Sequence, residues 1–571
     1  MFTIYNPSQS PQSVLAFSPL FQGRQTNLRT HPLLMLLAAF IAGGAAFLSV
    51  QDTSASDSMP PAVCVDAVLP ENSFPFIRDA IADKYQTGVG FGGWLVMEQW
   101  MFPNIPLAHG PQGESELEYI RNMTEYLGPE YAIRSMHNHW ANFITDEDLK
   151  SLADFGVTHV KIPVGWWIMD PPVSRTGEHG DGVLIDKAGP VLGGARVWAG
   201  FSEDGFVTGG IIYLERMIKR LKKLNIRVII TVQTLPGGTQ SEKVYQGDIF
   251  KHAGFWCDRN PRTGRPYREE GDEFILRLSR WILDLEKNPE TSGVVYALEP
   301  INEPQLGSEL EICPKEEVGR EGAKKTDVMI EWFYTTLARL REILPPERYA
   351  IICNWMAVPD RNTQTKILYS QENVWPDRHL YEAFNRCEWG TSPQACYQDM
   401  ACRDRTRCNT CCGTITPALG IPEIVGEWSL STCDMFGKGP GVIMDRDWLA
   451  TRYADNVSTY RSLGFQGDFF WTAKIGVNYD PTIYPPGWSV KELKPEWWGR
   501  PSRRISPLEQ VPADYLLTWH LLELIRQGIA VPARDLQIKG ACEYTVPGSN
   551  FSRYDCSGGC EGKPCGCEEG K

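Results

Sequence analysis

The chain has 571 residues, 22% of them charged and 42% hydrophobic, with a formal net charge of −14, 16 Cys and 19 Trp. That length fits one large α/β barrel with tails and a sizeable core, and the composition is that of a globular protein. The acidic balance argues against nucleic acid as a partner, because neutralising phosphates needs a basic patch.

Residues 33–50, LLMLLAAFIAGGAAFLSV, form an uncharged apolar run near the lower limit for a membrane span. Arg24 and Arg29 precede it, and Asp52 and Asp57 follow. By the positive-inside rule the N-terminus stays cytosolic and the rest is exported. Residues 1–51 are therefore expected to be a cytosolic tail with a retained type II anchor, the membrane contact being made through 33–50. The other reading is a cleaved signal with small residues around Ser54-Ala55-Ser56. Both place the protein outside the cell or on its surface. Sequons at Asn122, Asn456 and Asn550 agree with that route, as do the 16 Cys.

Residues 52–74 read as a polar linker, and from about 75 to 530 short apolar runs alternate with amphipathic stretches. The expected strands are GVGFGG (88–93), HVKIPVG (159–165), RVIITV (227–232), VVYALEP (294–300), YAIICN (349–354), RHLYEAF (378–384), EIVGEW (423–428) and GDFFWTAK (467–474). Near-continuous apolar runs imply burial on both faces, hence a parallel sheet covered by helices. Expected helices fall between them, at 145–156, 213–225, 273–288, 328–344 and 448–464, with a last one at 513–529. Thr145 is a natural N-cap and Gly156 a stop for the first. Leu214, Met217, Ile218, Leu221 and Leu224 share one face of the second. Eightfold alternation argues for a (β/α)8 TIM barrel with long loop insertions, the catalytic domain. Cys387, Cys396, Cys402, Cys408, Cys411, Cys412 and Cys433 crowd an irregular segment, and five more Cys lie in a tail at 531–571. In an exported chain these are expected to be disulfide staples rather than a metal knuckle, with stability falling in reductant.

In such a barrel, polar residues at the C-terminal ends of strands face the active site. The fourth expected strand ends in Asn302-Glu303-Pro304, and the seventh carries Glu427. His379 and Tyr381 lie two apart in the sixth, Trp471 is in the eighth, and Glu98 follows the first. Two carboxylates across one pocket suit glycoside hydrolysis: one protonates the leaving oxygen, the other attacks the anomeric carbon or activates water. That division of labour needs their pKa values pushed apart. Glu303 is expected to be held protonated beside an ionised Glu427, with a bell-shaped pH profile and an acidic optimum. Asn302 can hold a sugar hydroxyl, Tyr381 can hydrogen-bond the nucleophile, and Trp471 can form a sugar platform. With nine His and no H-E-x-x-H spacing, neither a metal site nor a cofactor is expected; His137 and His139, in an expected loop, read as structural.

GVGFGGWLVMEQWMFP, HWANFITDEDLKSLADFGVTHVKIPVGWW, LEPINEPQ, RHLYEAF, VGEWS and FFWTAK…GWSVKEL together resemble the exo-β-1,3-glucanases of glycoside hydrolase family 5 (clan A), over about residues 85–495. The resemblance implies a retaining mechanism with Glu303 as general acid/base and Glu427 as nucleophile. It puts Asn302 on the sugar 2-hydroxyl, His379 and Tyr381 beside the carboxylates, and Trp471 along the −1 subsite. Glu98 would hold the non-reducing-end glucose, which favours exo cleavage of a β-1,3-glucan such as laminarin. Three positions depart from the family pattern. Lys161 stands in KIP where the family has Arg, keeping the charge and losing the fork. Gln233 stands where the family has His, and Ala473 replaces a second aromatic. These departures motivate two other readings: a hydrolase or transglycosylase for another β-linkage (β-1,6, β-1,4 or glucolipid), or a glucan-binding wall protein with weak turnover.

Overall fold

The computed structural model describes residues 85–102, 115–171, 183–185, 197–306, 312–354, 361–381, 421–431, 446–462, 464–476 and 517–536. The chain divides into two units, Met1–Cys64 and Val65–Lys571, and every described residue belongs to the second. The expected anchor at 33–50, the linker at 52–74, the cysteine cluster from Cys387 to Cys433 and the tail beyond 536 lie outside the described residues.

The chain enters the barrel through β1 (Gln86–Gly90) and β2 (His159–Gly165), which pair in parallel. An insertion follows, with β3 (Val183–Ile185) and β4 (Val197–Ala199) paired antiparallel. The barrel then continues through β5 (Arg227–Thr234), β6 (Val295–Glu299), β7 (Ala350–Asn354), β8 (Val374–Leu380), β9 (Ile424–Trp428) and β10 (Gly467–Phe470). Parallel pairing of β10 with β1 closes eight strands into one barrel. The apolar runs sit where such a barrel needs them, because each strand is covered on both faces.

The helices form for local reasons and are held by the face they bury. After α1 (Glu116–Leu127) and α2 (Pro129–Asn142), α3 (Asp146–Phe155) starts at a capping box between Thr145 and Asp148. It stops at Gly156, whose φ of 107° suits a residue without Cβ. In α4 (Gly210–Lys223) the buried residues include Leu214, Met217, Ile218 and Leu221, the expected apolar stripe. Helices α5 (Tyr267–Asp284), α6 (Lys315–Val318), α7 (Lys325–Arg341), α8 (Arg361–Leu368), α9 (Arg446–Ser462) and α10 (Leu521–Arg526) complete the described set.

Several expectations are corrected. The sixth barrel strand is Val374–Leu380 rather than 378–384. Val374 to Asp377 pair with Ile351 to Asn354, and Pro376 in mid-strand had the look of a breaker. Among the described residues the last α-helix is six residues long, and 513–516 of the expected one lie outside them. Ahead of it the backbone turns aside: Thr472 N donates to Trp519 O, while Leu521 and Leu522 N donate to Thr472 and Ala473 O. Those bonds to the end of β10 replace a helical turn. His137 and His139 sit in α2 rather than a loop; they lie against Thr208 O and Gly93 O, and burial lowers them to about 3 and about 4. Asn122 and Asn456 are 6% and 0% exposed on α1 and α9, so in the folded protein neither can carry a glycan.

The barrel interior is layered by the strand period of two. At the bottom, Ile229, Tyr296, Ile352, Trp375, Ile424 and Phe469 form an apolar plug, and Tyr296 donates to Gln86 on the far wall at 2.6 Å. Two residues further up their strands come Thr231 and Asp377, with Glu299 paired to Thr231 and the Lys161 ammonium reaching that level from beside Ile229. Two further again come Gln233 and His379, at the mouth. The interior therefore passes from hydrocarbon to ion pairs to the site.

A disulfide joins Cys257, in the loop after β5, to Cys313, in the loop after β6, across 56 residues; it ties together the two loops that flank Glu303. Replacing both cysteines by Ser is expected to cost about 2–4 kcal/mol of stability, read as a lower Tm. Unchanged melting would mean that the loops hold without it.

Candidate active site

Glu303 lies just past β6 in a left-handed conformation, φ 40°, uncommon for a residue with a side chain and frequent at functional sites. Its neighbours fix it. Asn302 N donates to Val232 O at 2.9 Å, Gln305 N to Thr239 O at 3.0 Å, and Gln240 Nε2 to the Glu303 carbonyl. The chain is thereby bent over the end of β5, and the Glu303 carboxylate faces inward. Glu427 stands on β9, and one carboxylate oxygen of each lies within 4.8 Å of the other and of a His379 ring nitrogen.

His379 links the pair. Its Nδ1 is 2.6 Å from Glu303 Oε1 and 3.3 Å from Glu427 Oε2. Tyr381 donates to Glu427 Oε2 at 2.8 Å, while Oε1 of Glu427 accepts no hydrogen bond. Asn302 is buried, and neither side-chain polar atom has a partner; the Oε1 of buried Gln233 has none either. Unsatisfied buried polar groups at the head of a barrel are what a bound polar molecule would satisfy. Glu98 is buried, takes a 2.9 Å hydrogen bond from Trp100 Nε1, and is pushed up to about 8 by burial and by the charges of Glu427 and Glu303. Trp471 lies against the end of β1 and the residues after it: a Cβ at Gly90 or Gly92 would meet its ring at 2.5 or 2.6 Å, which explains those two glycines of GVGFGG. Ala473 is buried beside it. Eight of the nine expected site residues thus converge on one barrel mouth.

Beneath them Lys161 is fully buried. Its Nζ lies 2.9 Å from Glu299 Oε2, 2.8 Å from Asp377 Oδ2, 3.2 Å from His379 Nε2 and 3.6 Å from Glu427 Oε1. The ammonium acts as a point charge whose short contacts go to Glu299 and Asp377 rather than to Glu427. Burial opposes its charge, but these carboxylates outweigh it and its pKa is raised. Burial pushes Glu299 up to about 8 despite Lys161, whereas Lys161 and His379 overcome burial at Asp377 and hold it at about 2. Glu299, Asp377 and His379 also have the spacing to hold a metal ion, but the Lys161 ammonium already occupies a cation's place among them.

Five groups were missed from the sequence. Tyr245 and Gln240 bind Glu303 from the loop after β5, and Asp377 and Glu299 bind Lys161. Asp377 is two residues from His379 and Glu299 four from Glu303, so strand periodicity could have found the former. Trp519, whose ring is 5.3 Å from both Tyr381 and Trp100, comes from the last segment without any sequence signal.

The expected split of the two pKa values runs the other way. Burial alone would raise Glu303, but the His379 charge and hydrogen bonds from His379, Tyr245 and Gln240 hold it at about 2. At Glu427 burial prevails over His379 and Lys161, and Glu303 adds to the rise. Burial also opposes the His379 charge, yet Glu427, Asp377 and Glu303 raise that ring well above 6.5. The Glu303–His379 pair thus holds one titrating proton, on the imidazole while Glu303 is ionised.

No family model matches the chain. It is 26% identical over 365 residues to a glucan 1,3-beta-glucosidase of Blumeria graminis, covering 63% of this chain and 68% of that one. It is 25% identical over 369 residues to a protein of Emericella nidulans named "Probable glucan 1,3-beta-glucosidase A", covering 64% and 73%. Its fold matches that of a rutinosidase from Aspergillus niger, with TM-score 0.50 and 17% identity over 79% of this chain and 98% of that one.

Lys161→Met removes the central charge and leaves its carboxylates unpaired, a loss of about 3–5 kcal/mol at neutral pH. Asp377 is held at about 2 against an ordinary 3.8. The stability this contributes is present above 3.8 and is lost as pH falls towards 2. Denaturant unfolding should therefore show a larger gap between wild type and variant at pH 7 than at pH 3, and an equal gap would contradict the pairing. Barrel, paired carboxylates and relatives agree: the chain is a glycosidase, similar to the glucan 1,3-β-glucosidases.

Proposed function

We propose that the protein is a retaining exo-β-1,3-glucosidase that releases glucose from the non-reducing end of a β-glucan. The observation that carries the retaining mechanism is the pair of carboxylate oxygens of Glu303 and Glu427 within 4.8 Å of each other, on the ends of two barrel strands, and the likeness to glucan 1,3-beta-glucosidases supports the linkage. Retaining enzymes hold their carboxyl groups about 5–5.5 Å apart, and inverting ones leave room for a water. Glu427 attacks the anomeric carbon through its carboxylate. Glu303, with the proton it shares with His379, protonates the departing oxygen. Glu303 then takes a proton from water, whose oxygen displaces Glu427 and restores the β-anomer. Asn302 and Gln233 offer their unpaired atoms to sugar hydroxyls, Glu98 ends the pocket on the glycone side, and Trp471 lies along the ring.

Export and display at the cell surface through 33–50 are part of this reading. A second reading, another β-linkage, is favoured by Gln233 and Ala473, where the family pattern has His and an aromatic.

Laminarin incubated with residues 52–571 made in an oxidising host should yield glucose as the first product, and Glu427→Gln should yield none. Cleavage of a β-1,4 or β-1,6 glucan with laminarin untouched would transfer the proposal to the second reading. The pH profile of kcat/KM should be bell-shaped. Its acid limb should lie above 4.5, because Glu427 is raised and must lose its proton. Its alkaline limb should lie above 6.5, because the proton shared with Glu303 is held by a raised His379. The optimum then lies nearer neutrality than the motifs alone suggested. Activity already lost on the alkaline side at pH 6 would contradict it.

A further inference from the structure

The phenol of Tyr245 has two acceptors and one hydrogen. Its oxygen is 2.8 Å from Glu303 Oε2 and 2.6 Å from Gln240 Oε1. The Gln240 amide cannot turn round to relieve this. Its Nε2 donates to the Glu303 carbonyl, which can only accept, so Oε1 must face Tyr245. Gln240 is fully buried, and the loop beyond it is pinned. Gln246 Oε1 accepts from Thr234 Oγ1, Thr239 N and Thr239 Oγ1 at 3.0, 2.9 and 2.9 Å, and its Nε2 donates to Gln233 O at 3.2 Å.

Two hydrogen-bond arrangements satisfy these atoms, one for each protonation state of Glu303. When Glu303 is a carboxylate, Tyr245 donates to it. When Glu303 is a carboxylic acid with its proton on Oε2, that proton is donated to the Tyr245 oxygen, the phenol hydrogen turns to Gln240 Oε1, and Oε1 of Glu303 still accepts from the Nδ1–H of a neutral His379. A Phe could serve neither state. An Asn or Gln amide held in a fixed orientation could serve only one.

We propose that Tyr245, oriented by Gln240, is a positioning residue for the acid/base, reversing its hydrogen bond each time Glu303 gives up or regains the catalytic proton. The proposal rests on the reading of Glu303 as acid/base. In the first half-reaction the proton leaves Glu303 for the departing oxygen, and the phenol hydrogen swings from Gln240 to Glu303. In the second, water returns a proton to Glu303, and the phenol hydrogen swings back. No covalent bond to Tyr245 forms or breaks. The other ionisable groups that act on Glu303 are His379 on β8, Glu427 on β9 and Glu98 after β1, with Tyr381 beside Glu427 and Lys161 behind His379. Tyr245→Phe leaves all of them in place.

The test compares wild type, Tyr245→Phe and Glu303→Ala on laminarin and on 2,4-dinitrophenyl β-glucoside, whose leaving group departs without a proton. Tyr245→Phe should lower kcat/KM on laminarin by about tenfold or more, the order of general acid–base effects. It should move the alkaline limb of that profile, and lower kcat/KM on the dinitrophenyl glucoside far less than on laminarin, as should Glu303→Ala. An equal loss on both substrates would assign Tyr245 to the loop's structure and overturn the proposal. No loss on either would overturn it too. If Glu303→Ala left laminarin hydrolysis intact, or wild type cleaved neither substrate, the acid/base reading itself would fall, and the role of Tyr245 with it.

Discussion

The ammonium of Lys161 sits fully buried at the centre of the barrel, 2.9 and 2.8 Å from Glu299 and Asp377. A lone charge there would be prohibitively costly, so the layer exists only as a paired set. The site is assembled on top of it. Asp377 also accepts from Gly426 N on the neighbouring strand at 2.7 Å, which places β9 and so Glu427. His379, two residues above Asp377, faces that layer through Nε2 and the pocket through Nδ1. The Lys161 charge thus reaches both carboxylates at the mouth, Glu427 at 3.6 Å and Glu303 through the imidazole. A Cβ at Gly426 would come 2.1 Å from the Asp377 carboxylate, so the glycine of VGEW is a condition of that contact.

That arrangement explains why the two carboxylates differ although both are buried. Glu303 receives hydrogen bonds from His379, Tyr245 and Gln240, and Glu427 receives one from Tyr381. The group with more donors is the one held ionised, as hydrogen bonding to the charged form requires. The proposed mechanism needs the opposite assignment at the moment the leaving oxygen departs. The Glu303–His379 pair can meet it by redistributing one proton, without importing charge into a dry pocket.

Much of this was legible in the sequence because strands advertise themselves. Val294 to Leu298 read as a buried run, and the polar residues that end it could only face a site. The same held for Glu427 and, with a shifted frame, for His379 and Tyr381. The frame of β8 was misread because Pro376 interrupts a strand whose first half is plainly apolar. Asp377 was missed for the same reason: it follows the proline and looked like the turn before a strand. Glu299 was hidden inside the apolar run, where a carboxylate makes sense only once Lys161 is seen opposite it. Tyr245, Gln240 and Trp519 come from loops, and nothing local in their sequence says that they fold back over the strand ends. Asn456 read as a glycan acceptor because sequons are three residues long and carry no information about which face of α9 is buried.

The most direct test of the account is to trap the enzyme with 2,4-dinitrophenyl 2-deoxy-2-fluoro-β-glucoside and identify the labelled peptide by mass spectrometry. The fluorine slows the second step, so a retaining enzyme accumulates as its glycosyl ester. One fluoroglucosyl group per chain, carried by Glu427, is the predicted result. Inactivation with the label on Glu303 would exchange the two roles. Turnover of the parent glucoside without any ester would contradict the retaining mechanism.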